Sequence, residues 1–378
     1  MKKTILIIIL FVFSLGFGQS KKKMTDEEKL TKCITENTNY FVFEGQKPNG
    51  KGWEILENLF AENQFVAWGE YHNSPLLSQL TKYALESASK NGYKIWCVET
   101  SPFAASELMH IAKTKNPFET FLEIKQKRPN FTTFPFFETG EDFAMLSAAA
   151  KLGYSIWGID QEFQMSFPYC LEKSFGSLPE KKQGKLKAVY DSLQTKWWNP
   201  EPKLLDSLKK EVKQPNLKRM LDDIKISKDI YYYSDNQKRA DLMKANFFAY
   251  YDTSKNKNEK VFFKMGSNHL AKGMNLETNL YDIGNAVYEL SQRNKTKFSN
   301  VYCMVRYTED KGIITDDLEE KDNQNPKVFS KLYDKEKWVL VDLRSLRLKM
   351  RYDNTITSDT YKIIEKYDYV LISPEILK

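Results

Sequence analysis

The stretch Phe-Val-Ala-Trp-Gly-Glu-Tyr-His at residues 65–72 decides the fold, because an apolar run passes directly into a group of polar side chains. Four consecutive apolar residues, Phe65–Trp68, are typical of a strand that is buried on both faces, as in a parallel sheet covered by helices. Gly69 then leads into Glu70, Tyr71 and His72. The stretch therefore predicts a core strand with ionisable groups at its carboxyl end.

Six further segments have the same short, apolar character. Helical spacing separates the first three strands, with apolar residues on one face over 76–88 and again over 143–150. The alternation of strand and helix predicts an α/β fold with a mostly parallel β-sheet flanked by helices. The six segments are Ile95–Val98, Ser155–Ile159, Val261–Met265, Val301–Arg306, Trp338–Leu343 and Tyr369–Ile372.

Residues 178–252 have helical spacing and no clear strand, which predicts a helical insertion between the third and fourth core strands. The insertion is basic, since residues 181–260 contain 19 Lys and Arg against 11 Asp and Glu. The signs alternate along the chain, which favours solvated helix faces over a nucleic-acid surface. Its aromatic residues either pack the helices together or line a cleft beneath a cap. These residues are Trp197, Trp198, Tyr231, Tyr232, Tyr233, Phe247 and Phe248.

The amino terminus has the pattern of an export signal. Two lysines precede the apolar run Ile5–Phe17 and a small-residue cleavage pattern, so residues 1–18 are predicted to be a cleaved signal peptide, with a short membrane anchor as the alternative. No cysteine stands at the cleavage site, so no lipid anchor is expected. We expect a periplasmic or secreted protein without a stable membrane span. The remainder divides into an N-terminal extension, 19–63, and an α/β domain, 64–378.

Four cysteines are too few for a disulfide scaffold. Cys97 and Cys303 lie in predicted strands and are expected to be free thiols in the core. Cys33 and Cys170 lie in less regular sequence, and in an oxidising compartment they could pair. The sequence leaves that pairing open.

Ionisable groups follow four successive predicted strands. Ligands bind beyond the carboxyl ends of strands in open parallel sheets, so the side chains there are the candidate site. His72 follows the first strand, Glu99 the second, Asp160 the third and His269 the fourth. The chain has three histidines, and the third, His110, lies on a predicted helix and is interpreted as structural.

This set of side chains supports two kinds of chemistry. A histidine oriented by a carboxylate can act as a general base, and a second histidine can stabilise an oxyanion. Equally, His72, His269 and Glu99 could hold a divalent metal that activates water. The absence of a Gly-x-Ser-x-Gly motif argues against a serine nucleophile, and the absence of a glycine-rich loop argues against a nucleotide cofactor. Asp160 could instead be a helix cap, and Asn73 or Ser74 is a candidate N-cap.

The two Gly-x-x-His motifs, at residues 69–72 and 266–269, resemble those of the erythromycin esterase, TIKI and ChaN-like superfamily. The first also has the Gly-Glu-x-His form, and the segment Arg239–Asn246 is similar to the Arg…Met…Asn helix of the esterase branch. The resemblance covers residues 65–285. It implies an α/β core with a helical insertion and a hydrolytic site that uses His72, Glu70, Glu99 and His269, and we predict Asp160 as a further catalytic residue.

Members of this superfamily differ in activity, so the resemblance leaves the function open. It implies, as the favoured hypothesis, an exported hydrolase in which His72 activates water against an ester-like or amide-like bond. Arg239, Tyr71 and Asn268 are then expected to bind a small molecule or peptide, and the basic insertion hints at an anionic one. The alternatives are a metal-dependent hydrolase or protease of the TIKI type and a non-catalytic haem or iron-uptake protein of the ChaN type. No nucleic-acid partner is expected.

Overall fold

The structure of the protein is a computed structural model that describes residues 24–45, 47–253, 258–310, 313–316, 318–319, 325–350 and 358–375. The predicted signal peptide, 1–18, lies outside these ranges, so its cleavage and the export of the protein remain predictions. Among the helices of the described ranges, none combines the length and the apolar character that crossing a membrane requires.

Strands and helices alternate along most of the chain. The strands are β1 Thr38–Glu44, β2 Lys47–Asn49, β3 Phe65–Glu70, β4 Ile95–Val98, β5 Ser155–Gly158, β6 Val261–Gly266, β7 Phe298–Met304, β8 Tyr307–Asp310, β9 Ile313–Asp316, β10 Trp338–Asp342 and β11 Tyr369–Ile372. The helices are α1 Asp26–Glu36, α2 Lys51–Glu62, α3 Pro75–Lys90, α4 Pro102–Ala112, α5 Pro117–Gln126, α6 Gly140–Lys151, α7 Phe167–Gly176, α8 Glu180–Thr195, α9 Pro202–Glu211, α10 Pro215–Tyr233, α11 Asn236–Thr253, α12 Ile283–Asn294, α13 Lys327–Ser330, α14 Arg344–Met350 and α15 Ser358–Lys366.

Nine of these strands form one sheet in the order β2-β1-β10-β11-β7-β3-β6-β4-β5. The six strands from β11 to β5 pair parallel to their neighbours, whereas the pairs β10–β11, β1–β10 and β1–β2 are antiparallel. The prediction of a mostly parallel sheet flanked by helices is therefore confirmed. Each of the seven predicted strands is present, and β7 begins at Phe298, three residues earlier than expected.

The central strands are apolar throughout because both faces of the sheet are covered. Val66 and Trp68 of β3 pack into one core with α2–α10, whereas Phe65 and Ala67 pack into a second core with α11 and α12. Side chains alternate between the two faces of a strand, so a strand covered on both sides has no position for a solvated residue. The carboxyl end of the strand is therefore where polar groups can be placed.

Side-chain caps start the helices that follow the core strands. The hydroxyl of Ser74 accepts from the Leu77 amide at the start of α3, and that of Ser101 accepts from Ala104 at the start of α4. A proline follows each of these caps at the first helical position, where its missing N–H is no loss. These caps fix the turns after β3 and β4, which carry the candidate site.

The N-terminal extension contributes to the sheet. β1 pairs antiparallel with β10, with Thr38 opposite Val341, and Phe41 stacks on Trp338 at a centroid distance of 5.8 Å. Residues 38–44 therefore extend the sheet that the later strands form.

The insertion 178–252 is helical, as predicted, and forms α8–α11 between β5 and β6. Most of its lysines that have a partner pair with acidic residues of the same segment, which agrees with solvated helix faces. The pairs are Lys182–Glu211, Lys187–Asp191, Lys209–Asp222, Lys225–Asp206, Lys238–Asp229 and Lys244–Asp241. Its action as a cap remains a prediction.

The four cysteines are free thiols. Cys33 lies on α1 and packs against the cluster around β10 and β11, whereas Cys170 is buried on α7 in the core that α2–α10 cover. The suggested pairing of Cys33 with Cys170 is therefore wrong, because the two side chains belong to separate parts of the core. Cys97 and Cys303 are buried thiols, as expected.

Candidate active site

The polar side chains that follow three neighbouring strands lie together at one edge of the sheet. β3, β6 and β4 are adjacent and parallel, so their carboxyl ends meet. Glu70 ends β3 and His72 follows it, Glu99 follows β4, and His269 lies in a 3-10 turn directly after β6. All four line an open cleft with a volume of about 580 Å³.

Glu99 lies at the centre of the cleft floor. Its Oε2 lies 3.4 Å from Nε2 of His72, and its Oε1 lies 3.3 Å from Nε2 of His269. The backbone N–H of Gly266 donates to Oε2 at 2.6 Å. Burial raises the pKa of this carboxyl group, but the charges of His269 and His72 outweigh burial and hold the pKa well below its usual range. Glu99 is therefore a buried, ionised carboxylate shared by two imidazoles.

Each histidine has a second carboxylate at its other ring nitrogen. Nδ1 of His72 lies 3.1 Å from Oε1 of Glu70, and Nδ1 of His269 lies 2.8 Å from Oδ2 of Asp282. An Nδ1–H that donates to a carboxylate fixes the tautomer and leaves Nε2 to exchange a proton. The site therefore contains two carboxylate–imidazole dyads whose Nε2 atoms converge on Glu99.

These carboxylates raise the affinity of both rings for a proton. Burial lowers the pKa of His72, but the charge of Glu99 and the contact with Glu70 raise it to about 9. Burial likewise lowers the pKa of His269, but Glu99 and the hydrogen bond to Asp282 raise it to about 10. Both rings are therefore protonated at neutral pH in the unliganded site.

Lys264 forms a buried ion pair with Glu70 of the Glu70–His72 dyad. It lies in the middle of β6, is 6% exposed, and donates from Nζ to Oε2 of Glu70. Burial raises the pKa of Glu70, but the charge of Lys264 and the contact with His72 lower it below its usual value. Sequence reasoning missed Lys264, although a lone lysine in the apolar run Val261–Met265 is a visible signal of a buried ion pair.

Arg239 and Asp160 form the side of the site nearest the insertion. Arg239 lies in the first turn of α11 and donates from Nη2 to Oε1 of Glu99 at 2.8 Å. It also donates from Nε to Oδ1 of Asp160 at 3.0 Å. Burial lowers the pKa of the guanidinium, but Asp160 and Glu99 raise it further above its usual range. Arg239 thus uses its donors on internal carboxylates, and Asp160 contacts Arg239 rather than a histidine.

Phe136 covers one face of the His72 ring. The two rings stack with centroids 3.6 Å apart and an interplanar angle of 15°. Phe136 has a φ of 67°, in the left-handed region that bulky residues seldom adopt. Backbone strain of this kind persists where the surrounding structure imposes it. Nothing in the sequence marks Phe136, because a positive φ at a phenylalanine has no local signature.

The remaining predicted residues lie at the rim or outside. Tyr71 and Asn268 line the cleft, and Asn268 accepts from the backbone N–H of Glu277 through Oδ1. From the helical insertion, the residues that line the cleft within the described ranges are Asn236 and Arg239. His110 is exposed near the end of α4 and does not line the cleft.

The predicted metal ligands do not fit a metal centre in this arrangement. Within the ranges that the structure describes, no group of three His, Cys, Asp or Glu side chains has a geometry that could hold a metal ion. His72 and His269 both direct Nε2 at Glu99, and the surrounding charges favour their protonated forms.

Neither a protein-family model nor a curated protein matches this sequence. Solved structures do match its fold. A protein from Bacillus cereus aligns with a TM-score of 0.55 at 12% identity, covering 93% of this chain and 98% of that chain. A succinoglycan biosynthesis protein aligns with a TM-score of 0.55 at 14% identity, covering 93% and 97%.

A mutant of the erythromycin esterase EreC, in its open conformation, also aligns with a TM-score of 0.55, at 13% identity, covering 89% of this chain and 97% of that chain. The resemblance predicted from the two Gly-x-x-His motifs is therefore confirmed at the level of the fold. At such identities the alignments establish the fold alone.

Proposed function

We propose that the protein is a hydrolase in which the Glu70–His72 dyad activates water against an ester-like bond. One observation carries the proposal: two carboxylate–imidazole dyads converge on a single buried carboxylate at the floor of an open cleft. A base oriented by an ionised partner is the arrangement that general-base catalysis requires. The fold shared with an erythromycin esterase supports the same reading.

In the proposed reaction, neutral His72 takes a proton at Nε2 from a water molecule while the water oxygen bonds to the substrate carbonyl carbon. Glu70 keeps Nδ1–H in place and stabilises the imidazolium that forms. The protonated ring of His269, held by Asp282, stabilises the negative charge that develops on the carbonyl oxygen. The bond to the leaving oxygen then breaks, and His72 returns the proton to that oxygen.

The electrostatics of the site set the pH dependence of this reaction. Because the pKa of His72 is raised to about 9, only a minor fraction of the enzyme carries the neutral base at pH 7. We expect kcat/KM to increase with pH and to level off near pH 9. A profile that levels off near pH 6.5 would show that Glu99 and Glu70 do not raise the pKa of the base.

Haem binding, the non-catalytic alternative, is less well supported by the cleft. Haem needs an apolar slot. Among the described residues that line the cleft, the large apolar groups are the rings of Phe136 and Tyr71, and two rings are too few to form such a slot. Tyr71 is 55% exposed at the rim. Titration with haemin is expected to give no saturable Soret change.

The test is hydrolysis of a panel of esters and lactones by the purified protein and by His72→Ala. Loss of a general base lowers the rate by about 10²–10⁴-fold, so His72→Ala is expected to fall by that amount. His110→Ala is the matched control, because it removes an exposed histidine outside the cleft and is expected to leave the rate unchanged.

Two results would overturn the proposal. One is a folded His72→Ala protein that hydrolyses its best substrate at the wild-type rate. The other is activity that disappears on exhaustive chelation and returns with a divalent metal, which would transfer the chemistry to a metallohydrolase.

A further inference from the structure

The cationic side chains of the cleft are already paired with carboxylates. His72 lies between Glu70 and Glu99, His269 lies between Glu99 and Asp282, and Arg239 pairs with Glu99 and Asp160. Within the described residues, no lining cation is left without such a partner. An anionic substrate would therefore have to displace an internal carboxylate, which argues against the anionic ligand that the basic insertion hinted at.

The cleft is also lined by neutral polar side chains with unused hydrogen-bonding groups. Asn73, Asn236, Ser267 and Thr308 line it, and their side chains make no hydrogen bond to any described residue. They come from four separate elements: the β3–α3 turn, the start of α11, the turn after β6 and β8. Amide and hydroxyl groups placed around a cleft are suited to a ligand that offers several donors and acceptors.

Glu277 adds a carboxylate to the lining of the cleft. It is exposed, lines the cleft and forms no ion pair with a described residue. A carboxylate accepts hydrogen bonds at two oxygens, so it can bind two neighbouring hydroxyl groups of one ligand, and its charge repels an anion. Tyr71 also lines the cleft, with 55% of its surface exposed, and an exposed ring offers an apolar face to C–H groups.

From these groups we infer that the cleft takes a neutral, polyhydroxylated substrate, namely an ester of a sugar or of a similar polyol. The inference rests on the proposed hydrolase function. In it, the dyads at the cleft floor act on the ester carbon while Asn236, Thr308 and Glu277 bind the hydroxyl groups and Tyr71 packs against the ring. A site built for hydroxyl groups discriminates strongly against an analogue that lacks them, because its polar groups are then left unpaired.

The experiment compares three acetyl or acyl esters of similar size: 6-O-acetylglucose, cyclohexylmethyl acetate and an anionic succinate half-ester. We expect kcat/KM for 6-O-acetylglucose to exceed that for either of the others by about 10²-fold or more. Asn236→Ala and Thr308→Val should each lower the ratio of kcat/KM between the sugar ester and cyclohexylmethyl acetate by about 3–10-fold, as loss of one hydrogen bond predicts. Thr195→Val, on α8 outside the cleft, is the control and should keep the wild-type ratio.

Failure of the inference and failure of the proposed function give different results. Equal rates on the three esters, or a preference for the anionic one, would overturn the polyol inference and leave the hydrolase standing. If none of the esters is hydrolysed, the proposed function fails, and calorimetric titration with 6-O-acetylglucose decides the inference. Saturable binding that Asn236→Ala weakens would support a polyol site, whereas no binding heat would overturn it.

Discussion

Replacing Lys264 by methionine is expected to destabilise the fold because it removes the buried ammonium group that pairs with the Glu70 carboxylate and leaves His72 as the charge beside it. The side chains of Lys264 and Glu70 are 6% and 4% exposed, so the two charges meet out of contact with solvent. Removing one partner of a buried ion pair costs about 3–5 kcal/mol, far more than the pair's net contribution. The expected effect of Lys264→Met is therefore a decrease of about 3–5 kcal/mol in the free energy of unfolding.

Urea unfolding at pH 7, followed by tryptophan fluorescence, measures this change. Trp68 and Trp96 are fully buried near the Lys264–Glu70 pair, so their fluorescence changes when the protein unfolds. Lys297→Met is the matched control, because Lys297 and Glu62 are 68% and 60% exposed and surface pairs contribute about 0–1 kcal/mol.

A second substitution separates the missing charge from the missing side chain. In the Lys264→Met background, Glu70→Gln removes the buried carboxylate that has lost its lysine and is expected to restore part of the lost stability. The reasoning is refuted if Lys264→Met unfolds within about 1 kcal/mol of wild type, the range of a surface pair. It is equally refuted if the double variant is no more stable than the single one.

Three further predictions follow from the same site and from the cysteines. The raised pKa values of His72 and His269, about 9 and about 10 against an ordinary 6.5, mean that the folded state binds more protons than the unfolded state between these values. The stability that this proton binding contributes is therefore complete below pH 6.5 and is lost as pH increases through 9–10. Urea unfolding midpoints measured from pH 6 to pH 10 are expected to decline. Midpoints that do not change with pH would contradict this prediction. Glu99→Gln removes the charge shared by both rings and should move the rise of kcat/KM to lower pH, whereas an unmoved profile would mean that Glu99 is not what raises the base's pKa. Protein unfolded without reductant should show Cys33 and Cys170 among four titratable thiols, and a count of two would restore the disulfide.

Much of the fold could be predicted from the chain because its strands are buried on both faces. A strand such as β4 or β11 has apolar residues at every position, and that pattern can be recognised without knowing which strands it pairs with. The positions of Glu99 and His269 follow from the same rule, since the turn after a parallel strand faces the ligand edge. The strands that were not predicted include β1, because most of its side chains are partly or fully exposed and its partner, β10, lies about 300 residues later.

The unpredicted parts of the site are those that depend on distant packing. From the sequence, Asp282 is an ordinary N-cap of α12. The fold, however, also places its Oδ2 2.8 Å from Nδ1 of His269. Phe136 lies in a loop without regular structure, and its contact with His72 depends on the path of that loop. The ionisable residues at strand ends can thus be predicted from the sequence. Residues such as Asp282 and Phe136, which contact the histidines from other segments, cannot, because only the folded chain brings them to the site.

The position of β3 in the sheet has a consequence for how the protein is made. Its two neighbours, β6 and β7, are both synthesised much later, and Glu70 meets Lys264 only after 194 further residues have left the ribosome. At about 5–20 residues per second, that interval is on the order of 10–40 s. For all of it the strand has two unpaired edges and an apolar surface, the condition that chaperones recognise. A chain that stops before Val261 therefore carries Glu70, His72 and Glu99 but lacks Lys264, His269 and Asp282, and it is expected to aggregate.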